Sequence, residues 1–180
     1  MAKAYDIFNY DSALYGVMRD PARRATQACQ NANRALDTLK ERVLIEFGLP
    51  NTSEYIHNLA HWFPPFFDRI GDILHQRHLT QEYPETQEYK ERPDDLDGVF
   101  GEIIRLLDEV QRALHQCVVT ADENNLHPLG RQFENLEADN SKLYEQILYA
   151  WNMFDASEDS ATSYDNWVAQ YLLKDWTDEH

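Results

Sequence analysis

Residues 96–123 read LDGVFGEIIRLLDEVQRALHQCVVTADE, and the fold class follows from them. Val99, Ile103, Leu106, Leu107, Val110, Leu114, Cys117 and Ala121 recur at three- and four-residue intervals. An α-helix turns by about 100° per residue, so this spacing places all of them on one stripe. Pro93, Asp94 and Asp95 open the helix, with acidic groups at its positive end. Asn124 and Asn125 close it.

The same pattern extends outward in both directions. Downstream, Pro128 starts a helix that reaches about Phe154 through Leu129, Phe133, Leu136, Leu143, Ile147 and Trp151. The short link predicts antiparallel neighbours. Asn140 falls on that stripe and Gln132 near it, as hydrogen-bonded polar groups of the core. Upstream, Ala25, Cys29, Ala32, Leu36, Leu39, Val43 and Phe47 mark a helix from Pro21 to Phe47, stopped by Gly48 and Pro50. A further helix is predicted from Asn51, with Glu54 as its capping-box partner, to about His78. The adjacent Pro64 and Pro65 predict a kink or short break in it, because an interior proline removes a backbone hydrogen bond.

Residues 79–95 form a long polar connection. Residues 1–20 read as an aromatic-rich arm (Tyr5, Phe8, Tyr10, Tyr15). After the acidic stretch 155–163, a short amphipathic helix over 164–176 carries Trp167, Tyr171, Leu172 and Trp176, suited to covering an edge or a neighbouring subunit. The expected architecture is one all-α domain over 1–180: the arm, an antiparallel four-helix bundle over 21–154, and the terminal helix.

The formal net charge of −16 excludes whole classes of partner. Holding a nucleic-acid backbone or an anionic membrane requires clustered Lys and Arg, and the nearest approach (Arg19, Arg23, Arg24) is diluted by Asp20. Cations are the small partners that such a field attracts. Cys29 and Cys117 sit in apolar patterns, as core residues rather than a disulfide framework. With no signal-peptide run and no segment near the roughly 20 apolar residues of a membrane span, a cytoplasmic location is expected. No phosphate loop, GxSxG, HExxH or CxxC occurs. Any redox change would therefore have to come from a bound metal.

One constellation can hold a metal. His57, His61, Asp68, Asp72 and His75 fall within roughly a 60° arc if their helix is continuous. Imidazole and carboxylate groups one turn apart suit iron, zinc or manganese. The apolar residues of the same helix centre roughly 140° away, so this polar stripe faces away from the core. It is either a solvated face or a site completed by a second surface, such as a neighbouring subunit. Glu41, Glu102, Glu109 and His115 likewise project off the apolar stripes, which argues against an internal di-iron centre.

Phe67–Thr86, FDRIGDILHQRHLTQEYPET, resembles the second helix and following loop of the Dps mini-ferritins of the ferritin-like family. Asp68-x-x-x-Asp72 stands where that family has Asp-x-x-x-Glu, and Tyr83-Pro84-Glu85-Thr86 with Tyr89 resembles the loop after it. The order of four helices with a long connection between the second and third is also similar. The resemblance implies an oligomer that binds iron between subunits, with ferroxidase-type oxidation, iron storage or protection against oxidative stress. The family's histidines on the first helix are absent here. Glu41 or Glu46, or else His57 and His61, would stand in for them. The alternative expectation is a helical protein that acts through association with other proteins, using its aromatic ends. An all-α nucleotide hydrolase holding magnesium through Glu134, Glu137 and Asp139, or through Glu102 and Glu109, is a weaker third.

Overall fold

The structure is a computed structural model describing residues 13–157 and 160–176. Tyr5, Phe8, Tyr10 and the Trp176 side chain, singled out above, lie outside the described residues. A 3-10 turn at Gly16–Met18 leads into α1 (Arg19–Ile45). There follow α2 (Pro50–Ala60), α3 (Phe63–His75), α4 (Leu96–Glu123), α5 (His127–Asp155), α6 (Ala161–Tyr171) and the single turn α7 (Leu173–Trp176). The described residues contain no strand, and none of their helices is long and apolar enough to cross a membrane.

The prolines act as the sequence suggests, but the break falls a few residues before them. Pro64 and Pro65 occupy the first turn of α3, where a missing N–H needs no acceptor. His61 and Trp62 form the joint between α2 and α3. Because Pro64 cannot donate to the carbonyl four residues back, Ala60 O is free, and Asn33 Nδ2 of α1 donates to it at 2.8 Å. The break is thus fastened to α1. At the other end of α1, Gly48 takes φ +69°, a left-handed conformation that favours glycine, and Pro50 opens α2 at its first position.

After α3, residues 79–95 run back along α1 as an extended strap. Arg23 faces Glu82 at 3.8 Å, and Gln81 Nε2 donates to Thr26 Oγ1 at 3.1 Å. Further along, Gln27 Nε2 donates to Glu85 O at 3.1 Å, Gln87 N to Asn31 Oδ1 at 2.9 Å, and Arg34 Nη1 to Thr86 Oγ1 at 2.6 Å. Arg92 approaches Glu46 at 3.7 Å, past the end of α1. Gly71 makes room for the start of the strap, since a Cβ there would run into Gln81 Oε1. The strap delivers α4 to the far end of α1, and the two pack antiparallel.

Asp95 caps α4 by accepting from Gly98 N at 2.8 Å. α5 returns antiparallel to α4: Asn140 Nδ2 donates to Leu107 O at 3.1 Å and Trp151 Nε1 to Asp97 Oδ1 at 2.7 Å. It also runs antiparallel to α3, through Arg69–Asp139 at 2.7 Å and Gln132 Nε2 to Gln76 Oε1 at 3.2 Å. α1, the α2–α3 pair, α4 and α5 therefore enclose one apolar core, including Phe63, Phe100, Phe133, Leu36 and Ile147. Asn140 is fully buried within it, and Gln111 Oε1 accepts its second donor bond at 2.8 Å.

The capping box expected from Asn51 and Glu54 is replaced by a longer-range device. Asp165, on α6 and only 6% exposed, accepts from Thr52 N at 2.7 Å, Thr52 Oγ1 at 2.8 Å, Asn51 Nδ2 at 2.9 Å and Asn51 N at 3.3 Å. A carboxylate at these N–H groups suits the positive end of α2, and Asp165 accepts from Asn51 N, the amide that a capping-box Glu54 would have taken. Tyr164, fully buried, donates to Ala150 O at 3.0 Å and packs edge-on against Phe154 and Phe100. Asp165→Ala strips these donors of their acceptor. It should lower stability by about 3 kcal/mol, roughly 6–12 °C in melting temperature by circular dichroism. Asp155→Ala, at an exposed carboxylate, should stay within about 0.5 kcal/mol of the parent.

Candidate metal centre

His57 lies in the last turn of α2 and His61, one turn on, is its C-cap. Their rings meet edge to face with centroids 4.4 Å apart, which brings the two Nε2 atoms to 3.1 Å. Behind them, Asp37 Oδ1 of α1 sits 3.3 Å from His57 Nδ1. The carboxylate accepts the Nδ1–H of His57 and leaves its Nε2 lone pair pointing at His61. Without a cation, His61 satisfies that lone pair by donating from its own Nε2. With one, both Nε2 atoms become ligands. Tetrahedral zinc–nitrogen geometry places two such nitrogens about 3.3 Å apart, close to the observed separation. His57 is half-buried and His61 exposed, so the pair is accessible from solvent.

Asp68, Asp72 and His75 lie on α3 and are exposed. The joint at His61–Trp62 interrupts the single arc that a continuous helix would provide, and the five residues are not gathered into one cluster. Among the described residues no group of three or more His, Cys, Asp or Glu side chains converges on one point. Asp72 instead lines a cleft of about 220 Å³ between α3 and α5, with Arg69, Ile73, Gln76, Gln132 and Asn135. Arg69 is held there by Asp139 at 2.7 Å and lies over the Phe66 ring at 5.8 Å. A fixed guanidinium in this cleft disfavours a cation on Asp72 from the same chain.

The other acidic candidates are engaged elsewhere. Glu102 and Glu109 both pair with Arg105, at 2.6 and 2.5 Å. His115 Nδ1 lies 3.1 Å from Glu137 Oε1. Glu41 and Glu46, offered above as substitutes for the absent histidines, line a different cleft, between α1 and the strap. Asp37 was not singled out from the sequence, although a signal for it exists. The turn centred on Gly48 folds α1 onto α2, and Asp37 precedes it by about as many residues as His57 and His61 follow it.

No family model matches this chain, and no curated protein matches it.

Asp139 carries the clearest electrostatic signature near these groups. The hydrogen bond from Arg69 holds its carboxyl below the ordinary value of 3.8, against the opposing effect of burial and with help from Lys142. A depressed folded value stabilises the protein above about pH 4, and that contribution is lost as pH falls through the folded pKa. Both side chains are partly exposed, so the pair is worth less than about 1 kcal/mol. Urea denaturation of the parent and of Asp139→Asn should differ by that amount at neutral pH and converge as the pH falls through the lowered folded pKa.

Proposed function

We propose that this protein is a ferritin-like four-helix bundle that binds a divalent transition-metal ion through His57 and His61. The observation that carries the reading is the facing pair of Nε2 atoms at 3.1 Å, backed by Asp37. The order of the arms supports the bundle: two antiparallel hairpins joined by one long crossover strap is the connectivity of ferritin-like folds. The resemblance at Phe67–Thr86 adds iron as the implied ion, for storage or oxidation of the Dps type; imidazole ligation itself suits zinc as well as iron, and manganese less. Two nitrogens fill half of a tetrahedral shell. The remaining ligands are water or side chains of a second subunit, where Asp68, Asp72 and His75 of an adjoining copy are the available donors.

Zinc, manganese and iron(II) titrated into the full chain under anaerobic conditions should each be followed by thermal shift, with the mass in solution measured alongside. At a free metal concentration about 100 times Kd the fold should gain about 2.7 kcal/mol. His57→Ala and His61→Ala should each abolish the gain, while Asp37→Asn should weaken affinity by about 10-fold. An unchanged melting temperature with all three ions would reject the reading, and loss in Asp68→Ala as well would place the α3 carboxylates in the same site.

A second reading, association through aromatic surface, is favoured by one observation. Tyr149, Trp167 and Tyr171 form a ladder of rings 5.8 Å apart across α5 and α6, with Tyr149 55% and Tyr171 52% exposed. Aromatic side chains left partly in water are enriched where proteins meet. If this surface joins copies of the chain, Tyr149→Asp with Tyr171→Asp should shift sedimentation toward the monomer. An unaltered mass rejects it.

A further inference from the structure

Where α4, α5 and α6 meet, aromatic side chains form one continuous run of ring contacts. Trp151 stacks on Phe100 with centroids 6.3 Å apart, and Phe100 meets the edge of Tyr164 at 6.0 Å. Tyr164 stacks on Trp167 at 5.6 Å, and Trp167 reaches Tyr149 and Tyr171, each at 5.8 Å. The run begins beside the exposed carboxylate of Asp97, passes through the buried rings of Phe100 and Tyr164, and ends at two phenols open to water. Apolar packing accounts for the rings. It does not account for the polar groups set along them, which differ at each ring.

Those groups decide where an oxidising equivalent can come to rest. An indole or phenol that loses an electron becomes a strong acid, so the hole settles where the proton has somewhere to go. Tyr164 is fully buried, and its hydroxyl donates to Ala150 O at 3.0 Å, a carbonyl that is no base. Burial also raises the pKa of this phenol. A charged radical there would stand uncompensated in apolar surroundings. Trp151 donates its indole N–H to Asp97 Oδ1 at 2.7 Å, and this carboxylate can take the proton. Tyr149 and Tyr171 release theirs directly to water. Phe100 and Tyr164 therefore bridge without trapping, and the exposed phenols are the resting places.

We propose that this run of rings carries oxidising equivalents from Trp151 and Trp167 to the exposed Tyr149 and Tyr171. The substrate class is a small diffusible radical that takes one electron from indole. That radical is reduced to its anion, the indole becomes a radical cation, and an electron from the phenol refills it. At Trp151 the N–H proton passes to Asp97 and returns as the indole is refilled. The phenolic proton goes to water, which leaves a neutral tyrosyl radical at the surface. A soluble thiol restores the phenol by giving up a hydrogen atom. The path depends neither on the histidine pair of α2 nor on association between copies.

Azide radical, generated by pulse radiolysis in a solution of the full chain, is the probe. It oxidises indole, and the indolyl and tyrosyl absorption bands are followed separately. Indolyl decay matched by tyrosyl growth, at a rate independent of protein concentration, is expected. Trp167→Phe should remove a phase of that transfer, and Tyr149→Phe combined with Tyr171→Phe should remove the same phase. Tyr83→Phe, at a phenol at least as exposed but on the strap, should leave it intact. The tyrosine variants lie at exposed positions and should keep the parent's melting curve by circular dichroism. Absence of a concentration-independent phase, its survival in the double variant, or its equal loss in Tyr83→Phe would each overturn the assignment.

Discussion

The seam of small side chains along α1 is what the other arms depend on. Ala22, Ala25, Cys29, Ala32 and Ala35 are all essentially inaccessible to water. Small residues at these positions let α2, α3 and α4 approach closely, and the neighbours fill the space with larger groups such as Phe63, Phe66 and Phe100. A single added methylene on this seam would be felt by more than one partner, because close-packed interiors transmit strain. The packing also acts on both thiols: burial pushes Cys29 up to about 12 and raises Cys117 as well.

With its inner face committed to the core, α1 uses its polar flanks for everything else. One flank holds the strap through a series of side-chain contacts from Arg23 to Glu46. The other meets α2, where Asn33 takes the carbonyl freed by Pro64 and Asp37 backs His57. The joint and the histidine pair therefore share a support. The residue that accommodates the break, Asn33, and the one that backs His57, Asp37, stand one turn apart on α1, so the joint and the histidine pair are held from the same flank. Arg42, a little further along α1, belongs to the strap-facing flank, where it pairs with Glu46 at 3.1 Å.

Much of this was legible in the sequence because long amphipathic helices announce themselves. α4 was expected over Leu96–Glu123 and has those bounds, and α1 and α5 differ from expectation by two residues or fewer at each end. The terminal helix was expected over 164–176; it begins three residues earlier, at Ala161, and is divided at Leu172 into α6 and α7. The break was expected at Pro64–Pro65 and lies at His61–Trp62, because proline is tolerated within the first turn and the disturbance falls on the residues before it. What could not be read were the long-range polar contacts. The acceptor that caps α2 is far along the chain, and the donor to Ala60 O belongs to another helix. Helical periodicity carries no information about either. The histidine pair was legible as spacing, its link to Asp37 only through the mirror symmetry of a hairpin, and its separation from Asp68 and Asp72 only once the joint was located.

The cap on α2 also has a consequence for how the chain is made. Asp165 lies 113 residues beyond Thr52, whose amide it receives. On a ribosome adding about 5–20 residues per second, α2 emerges many seconds before its carboxylate has been synthesised. During that interval the N–H groups at the head of α2 can be satisfied only by water or by borrowed acceptors. The helix then leans on α1 alone, through its apolar face and the Asn33 contact. Arrival of α6 converts a provisional hairpin into a fastened one. A segment made long afterwards thus sets the final stability of a much earlier helix, and a nascent chain halted before it would hold the layout of the fold without its closure.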